Sequence, residues 1–383
     1  MPVPKTSAKN DGVKGEKLSM ARNATNTLLQ NAKKLKNDEF YTQYVDIERE
    51  INGYLDYNPD VFRGKTILLP CDDPEWSNFT KYFAQNFVRF GLKKLISTSY
   101  AANSKEYMES YQPSLFEMED PQFDEIKTKQ NGKIFTLTHS KNTDGKIDIN
   151  DLEWNYLDGD GDFKSQEIKE LRDEADIIIT NPPFSLFREF LAWIVEAQKQ
   201  FLIIGNINSI IYVDVFPLIK ENKIWLGNGM GRWISGFIVP ENYELHGTEA
   251  RIDEFGNRIV ATNSCLWLTN IDHGRRHQVL PLMTMEDNLK YSKHKDIKAN
   301  GYQKYDNYDA IDVPHTDAIP SDYEGVMGVP ISFLDKYSPE QFELVGSNRG
   351  VAQDTNGIYG RGSYINGKET YKRIFIKHKR GIK

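Results

Sequence analysis

Apolar positions along the chain switch between two periods, and the switches mark out the elements. Short β-branched or fully apolar runs occur at Lys65 to Pro70, Lys94 to Ser99, Ala175 to Thr180, Phe201 to Ile204 and Asn263 to Thr269, each reading as a buried strand. Between them the spacing becomes three and four. Ile47, Ile51, Tyr54 and Leu55 mark one helix, which Asn58-Pro59 ends. Phe79, Tyr82, Phe83, Phe87 and Phe90 mark a second, closed by Gly91, and Leu186, Phe187, Phe190, Leu191, Ile194 and Val195 a third. Strand, helix and strand in succession open a doubly wound α/β sheet. Lys133 to His139 and Lys146 to Ile149 alternate around Asp144-Gly145 and predict a hairpin inside a region of about 101–155 that reads as an insertion. The cluster Gly227-Asn-Gly-Met-Gly231 predicts a turn.

One junction carries chemistry. The run Ala175-Asp176-Ile177-Ile178-Ile179-Thr180 stops at Asn181-Pro182-Pro183-Phe184, and a helix follows from Ser185. In an open α/β sheet ligands bind at the carboxyl ends of strands, where this loop would lie. The two prolines fix φ and remove two backbone donors, so the Asn181 side chain and the carbonyls of Asn181 and Pro182 can accept hydrogen bonds from a ligand. An amide oxygen beside a carbonyl oxygen suits an exocyclic amino group, and Phe184 offers a flat apolar face to a base. A proline-rich turn leading into the helix is the plainer alternative.

The turn after the first strand, Cys71 to Asn78, lacks the usual glycine-rich loop and instead carries Asp72, Asp73, Trp76 and Ser77. Acidic groups there suit a cationic ligand, or else serve a helix N-terminus. These residues, with Asn181 to Phe184, Phe40-Tyr41-Thr42-Gln43 and Gly159-Asp160-Gly161-Asp162-Phe163, together resemble the EcoRI-type adenine-specific DNA methyltransferases, from about Asp38 to the C-terminus. The resemblance implies a Rossmann-like methyltransferase sheet and S-adenosyl-L-methionine as cofactor. It implies that Asn181, Pro182, Pro183 and Phe184 act on the base. Tyr41 and Thr42 would hold the methionine end of the cofactor, with helix-entry packing capped by Thr42 as the alternative. Cys71, Asp72, Asp73, Trp76 and Ser77 would line the cofactor. Asp162 and Phe163 would meet its adenine through a carboxylate and a ring, an acidic turn being the alternative. The acid that such enzymes commonly carry after the second strand, to bind the ribose, has no counterpart in Ser97-Thr98-Ser99-Tyr100.

Composition bounds the rest. The 383 residues, 39% of them hydrophobic, suffice for one large domain or two ordinary ones. Two cysteines, Cys71 and Cys265, make neither a disulfide framework nor a zinc ligand set, no metal is implied, and no apolar run approaches a membrane span. A cytoplasmic protein without an obligate protein partner is expected. The net charge of -7 argues against nucleic acid when taken alone, but its distribution is uneven. Residues 1–36 hold eight basic and two acidic residues, a net of +6; residues 346–383 hold nine and two, a net of +7; residues 104–176 hold nine and nineteen, a net of -10.

The division expected is a basic arm over 1–37, a methyltransferase domain over 38–270 and a DNA target-recognition region over 271–383. Arg232, Arg275, Arg276, Arg349, Lys372, Arg373, Lys377, Lys379 and Arg380 are the candidates for contact with double-stranded DNA. A lysine-protected edge strand is the alternative for the C-terminal cluster. The reaction the resemblance implies is methyl transfer to adenine N6 in duplex DNA. Methylation of RNA or of protein glutamine, and a catalytically silent DNA-binding protein, stand as rivals.

Overall fold

The computed structural model describes residues 41–72, 77–101, 121–138, 153–230, 234–239, 245, 250–260, 264–348 and 362–379. In chain order the elements are β1 (Tyr41–Thr42), α1 (Tyr44–Tyr57), β2 (Thr66–Leu69), α2 (Asn78–Gln85), α3 (Phe87–Phe90), β3 (Lys94–Thr98), α4 (Glu125–Gln130), β4 (Lys133–Leu137), β5 (Glu153–Tyr156), α5 (Gln166–Glu174), β6 (Ile177–Thr180), α6 (Phe187–Glu196), β7 (Gln200–Asn206), α7 (Phe216–Lys220), β8 (Trp225–Met230) and β9 (Phe237–Val239). They continue with β10 (Arg251–Ile252), β11 (Arg258–Val260), β12 (Cys265–Thr269), α8 (Met285–Tyr291), α9 (Lys295–Asn300), β13 (Ala310–Asp312), β14 (Val326–Pro330), β15 (Phe342–Ser347), β16 (Tyr364–Ile365), β17 (Lys368–Glu369) and β18 (Arg373–His378).

Eight strands form one large mixed sheet in the order β5-β4-β3-β2-β6-β7-β12-β8. The central four, β3, β2, β6 and β7, run parallel. The chain moves outward from β2 to β3 and later returns to β6 on the other side of β2. This reversal opens a crevice between the carboxyl ends of β2 and β6. Alternation along the strands feeds two cores. Ile178 and Leu68 face α5, α6 and α7, while Ile177, Ile179, Ile67 and Leu69 face α1 and α2.

The region expected as an insertion contributes two strands to this sheet. β4 pairs antiparallel with β3, and its other neighbour is β5, with Trp154 stacked 6.4 Å from Phe135. The strand opposite Lys133–Leu137 is therefore Glu153–Tyr156, while residues 146–149 fall outside the described residues. The glycine cluster is likewise not a turn. Gly227 and Gly229 lie within β8, where a Cβ on Gly227 would stand 2.2 Å from the Glu50 carboxylate and 2.7 Å from Trp267, so α1 can approach only a bare backbone.

A four-stranded sheet, β1-β9-β11-β10, ties the segment before α1 to the one after β8, and another, β13-β14-β18-β15, is built from the C-terminal third. β18 is central in that sheet rather than at its edge, and its Ile374 and Ile376 belong to the same apolar cluster as Phe216 and Ile203. Among the described residues no helix is long and apolar enough to cross a membrane.

Candidate active site

Three separated stretches of sequence meet at the carboxyl ends of β2 and β6. Thr180, the last residue of β6, donates its hydroxyl to Asp72 Oδ2 at 2.6 Å, and Ser77 donates to Asp72 Oδ1 at 2.7 Å. Ser77 also caps α2 by accepting from Phe79 N at 3.1 Å. The next residue, Asn78, donates through Nδ2 to the carbonyl of Thr42 in β1 at 2.8 Å. Thr42 pairs with Phe237 of β9, whose ring meets Phe184 edge-on at 6.0 Å. The circuit closes on the Asn-Pro-Pro-Phe loop. Pro182 is buried, Asn181, Pro183 and Phe184 are half-buried, and residues 184–186 form one 3-10 turn before α6.

The circuit corrects two expectations. Asp72 is 6% exposed and both its oxygens are held by hydroxyls, so it positions the two loops rather than facing a cation. Thr42 is not the helix cap; Gln43 occupies that position, and its side chain donates to Ser235 Oγ at 2.7 Å and to the carbonyl of Gly236 at 2.9 Å. The Thr42 hydroxyl is buried with no hydrogen-bond partner among the described residues. It is a polar atom suited to a ligand. Tyr41 precedes it in β1, half-buried; Asp73 and Trp76 lie outside the described residues.

A second group gathers beside the first, at the end of β3. The amide of Ala101 donates to the Asp160 carbonyl at 2.9 Å, and a Cβ on Gly161 would stand 2.4 Å from the Ser99 carbonyl, so only glycine permits this approach. The loop thereby brings Asp160 and Asp162 to Tyr100 and Cys71. Burial first, then the charge of Asp162, raises the Tyr100 phenol above its ordinary value, and its hydroxyl bonds Asp162. The segment after the second strand, which carries no acid of its own, thus has acids beside it from about 60 residues downstream in the chain. Phe163 departs from expectation. It is 2% exposed, edge-on to Phe190 at 5.1 Å and to Trp193 at 5.7 Å, so its ring packs α6 rather than offering a face to a purine.

The basic candidates divide sharply. Arg276 is 9% exposed, with its guanidinium 3.6 Å from the Trp225 ring centroid and bonds to Asp272 and Asn222. Arg275 joins the Asn228 carbonyl to Asp335. Arg373 forms an ion pair with Asp312, Nε to Oδ1 at 2.7 Å, with both side chains nearly buried. These three are fold contacts, and the expectation that they track phosphates is set aside for that reason. Lys372 donates to Asn208 Oδ1 at 2.6 Å, just beyond the carboxyl end of β7, on the crevice edge of the sheet. Lys377 is half-buried and Lys379 exposed, and neither forms an ion pair among the described residues. Arg232, Arg349 and Arg380 lie outside the described residues.

Sequence reasoning missed the polar node under α1. Glu50 is buried, accepting from Asn228 N at 2.7 Å and from Tyr54 OH at 2.9 Å, and burial pushes its carboxyl up to about 7. With Asp46, Arg49, Asn228, Gly229, Trp267 and Arg275 it lines a cavity of about 190 Å³. The polar residue on the apolar face of α1, opposite a strand of glycines, was the available signal.

The profile of the family described as adenine-specific methyltransferase EcoRI matches residues 28–379. The type II methyltransferase M.EcoRI of Escherichia coli is 50% identical over 361 residues, covering 94% of this chain and 99% of its own. M.MpnI of Mycoplasma pneumoniae is 31% identical over 362 residues, 92% and 98% of the two chains. M.MgeORF184P of Mycoplasma genitalium is 34% identical over 357 residues, 90% and 97%. No solved structure matches. On the extent of these matches, the chain belongs to the EcoRI family of adenine-specific methyltransferases.

Proposed function

We propose that this enzyme methylates N6 of one adenine within a specific site of duplex DNA, with S-adenosyl-L-methionine as methyl donor, after the base has left the stack. The observation that carries the reading is the hydrogen-bonded circuit from Thr180 through Asp72, Ser77 and Asn78 to Thr42, which holds the Asn-Pro-Pro-Phe loop against the turn after β2. The sheet is read as the doubly wound methyltransferase type, with a cofactor lying across the switch between β2 and β6. The unpartnered Thr42 hydroxyl and the Asp160, Asp162 and Tyr100 group fit the two polar ends of such a molecule. Tyr41, Thr42 and Cys71 would hold its amino-acid end; Asp160 and Asp162 would accept from its ribose or adenine. When bound, the cofactor supplies an electrophilic methyl group on a sulfonium.

The protein's part is orientation and polarisation. The N6 lone pair of adenine is delocalised into the ring. The Asn181 side-chain oxygen and the Pro182 carbonyl accept the two N6 protons, favouring a tetrahedral nitrogen whose lone pair points in line at the methyl carbon. Phe184, braced by Phe237, stacks on the base. Residues 38–270 form the methyltransferase part in this reading, and 271–383, with Lys372, Lys377 and Lys379, the part that meets DNA. Neither cysteine is in a disulfide, in keeping with a cytoplasmic enzyme. Transfer of labelled methyl from the cofactor to DNA, RNA and protein in parallel tests the reading. N6-methyladenine in DNA alone is the expected product; label in RNA or glutamine, or none, would overturn it.

A further inference from the structure

The hairpin of β10 and β11 ends in a turn built to hold an aromatic ring in solvent. Asp253 Oδ1 accepts from Phe255 N at 2.9 Å and from Asn257 N at 2.8 Å, while Oδ2 accepts from Asn257 Nδ2 at 2.9 Å. Gly256, at φ +85°, closes the turn with a bond from its amide to the Asp253 carbonyl at 3.1 Å. At the tip Phe255 is 82% exposed, and Ile252 behind it 61%. An ordered turn that exposes this much apolar surface gains nothing from it in folding. Its place in the fold says what the ring is for. β11 pairs with β9, with Val260 opposite Phe237, and Phe237 is the residue that braces Phe184 in the proposed base site. Val260 stands five positions after Phe255, at most about 17 Å of extended chain, comparable with a DNA major groove about 12 Å wide and 8.5 Å deep.

We propose that Phe255 is the wedge that enters the base stack when the target adenine leaves it, a positioning residue for the flipped base; this rests on the flipping reading above. Apolar side chains inserted between base steps are a recurrent means of deforming a duplex, and a two-stranded ribbon fits the major groove. The tip carries Asp253, spent on the turn, and Glu254 rather than lysines. It is therefore made to enter the stack, not to follow phosphates, and an acid in the groove has the cytosine amino group as a partner. The ring would fill the gap the adenine vacates, offsetting the lost stacking.

The test replaces Phe255 with Ala and with Trp in the full chain. Methyl transfer is measured on a matched duplex and on one with the target adenine opposite an abasic position, and flipping by the fluorescence of 2-aminopurine at the target. Phe255→Ala should lower turnover on the matched duplex by about 10- to 100-fold, the loss of one base–aromatic stack, and abolish most of the fluorescence rise. On the abasic duplex it should come within about threefold of the parent, because the base pair that holds the adenine in the helix is already absent and leaving the stack costs less. Phe255→Trp should keep most of both signals. Unchanged cofactor affinity and unfolding midpoint establish that the variants are folded. Parent-like turnover of Phe255→Ala on the matched duplex, or an equal loss on both duplexes, overturns the wedge. A parent enzyme that gives no fluorescence rise removes base flipping itself, and the wedge with it.

Discussion

In the proposed reaction the chemistry turns on the Asn181 side chain, which acts on the base and not on the cofactor. Asn181→Ala should reduce methyl transfer by about three orders of magnitude, in the range seen when a transition-state hydrogen-bond acceptor or donor is removed, while cofactor affinity stays the same. Single-turnover rates and calorimetric titration check it, and near-parental turnover would end the mechanism. Asp72 lies deeper and predicts a different signature. Asp72→Ala leaves the Thr180 and Ser77 hydroxyls without their acceptor, so stability should fall by about 1–3 kcal/mol and cofactor affinity with it. Denaturant midpoints and titration read both, and weakened cofactor binding without any change in stability would make Asp72 a direct ligand. The placement of Asn181 directly after a buried strand was legible because an apolar run that stops at a proline pair marks a strand end. The role of Asp72 was not, because its hydroxyl partners lie 5 and 108 residues away. Phe163 misled for a similar reason: beside an aspartate it looks like half of a purine site, and only Phe190 and Trp193 show that it completes the α6 core.

Among the elements, α1, α6 and the central strands could be read from period alone, and the stripe from Phe79 to Phe90 is divided between α2 and α3 at Asn86, whereas the contact of α1 with β8 could not be read. Glycine in a strand looks like a turn until something is seen lying against it, and here that is Glu50. The node makes an opposed pair of pH effects. Glu50, pushed up to about 7, binds its proton more tightly in the folded chain, so its contribution is full below about pH 4.5 and is lost as pH rises through 7. His273 is buried with Nε2 on the Leu226 carbonyl and lowered to about 4; its contribution is present above about pH 6.5 and lost as pH falls toward 4. Glu50→Gln removes the first and keeps the second. The variant's stability should therefore rise with pH more steeply than the parent's between pH 5 and 8, by up to about 3 kcal/mol over the window. Denaturant midpoints at pH 5, 6, 7 and 8 give the two slopes, and parallel slopes would show that Glu50 titrates normally.

At the scale of the whole molecule, the β-α-β beginning announced the large sheet, but the C-terminal sheet stayed hidden because its strands read as a charged fringe. Arg-Ile-Phe-Ile-Lys-His looks like a strand lying on phosphates; in the fold it is the central strand β18, flanked by β14 and β15. Its cations therefore differ in what they can do. Arg373 is spent on Asp312 inside the protein, whereas Lys372 reaches Asn208 beside the crevice. If the crevice edge is the DNA face, Lys372→Ala should reduce the slope of log affinity against log salt by about 0.9, the release of counterions from one phosphate. Arg373→Ala should leave that slope alone and instead cost roughly 3 kcal/mol of stability, since it strands a nearly buried carboxylate. The pair of variants decides the orientation. A slope that changes with Arg373 and not with Lys372 would turn the opposite face of the C-terminal sheet toward DNA and take Lys372 out of the interface.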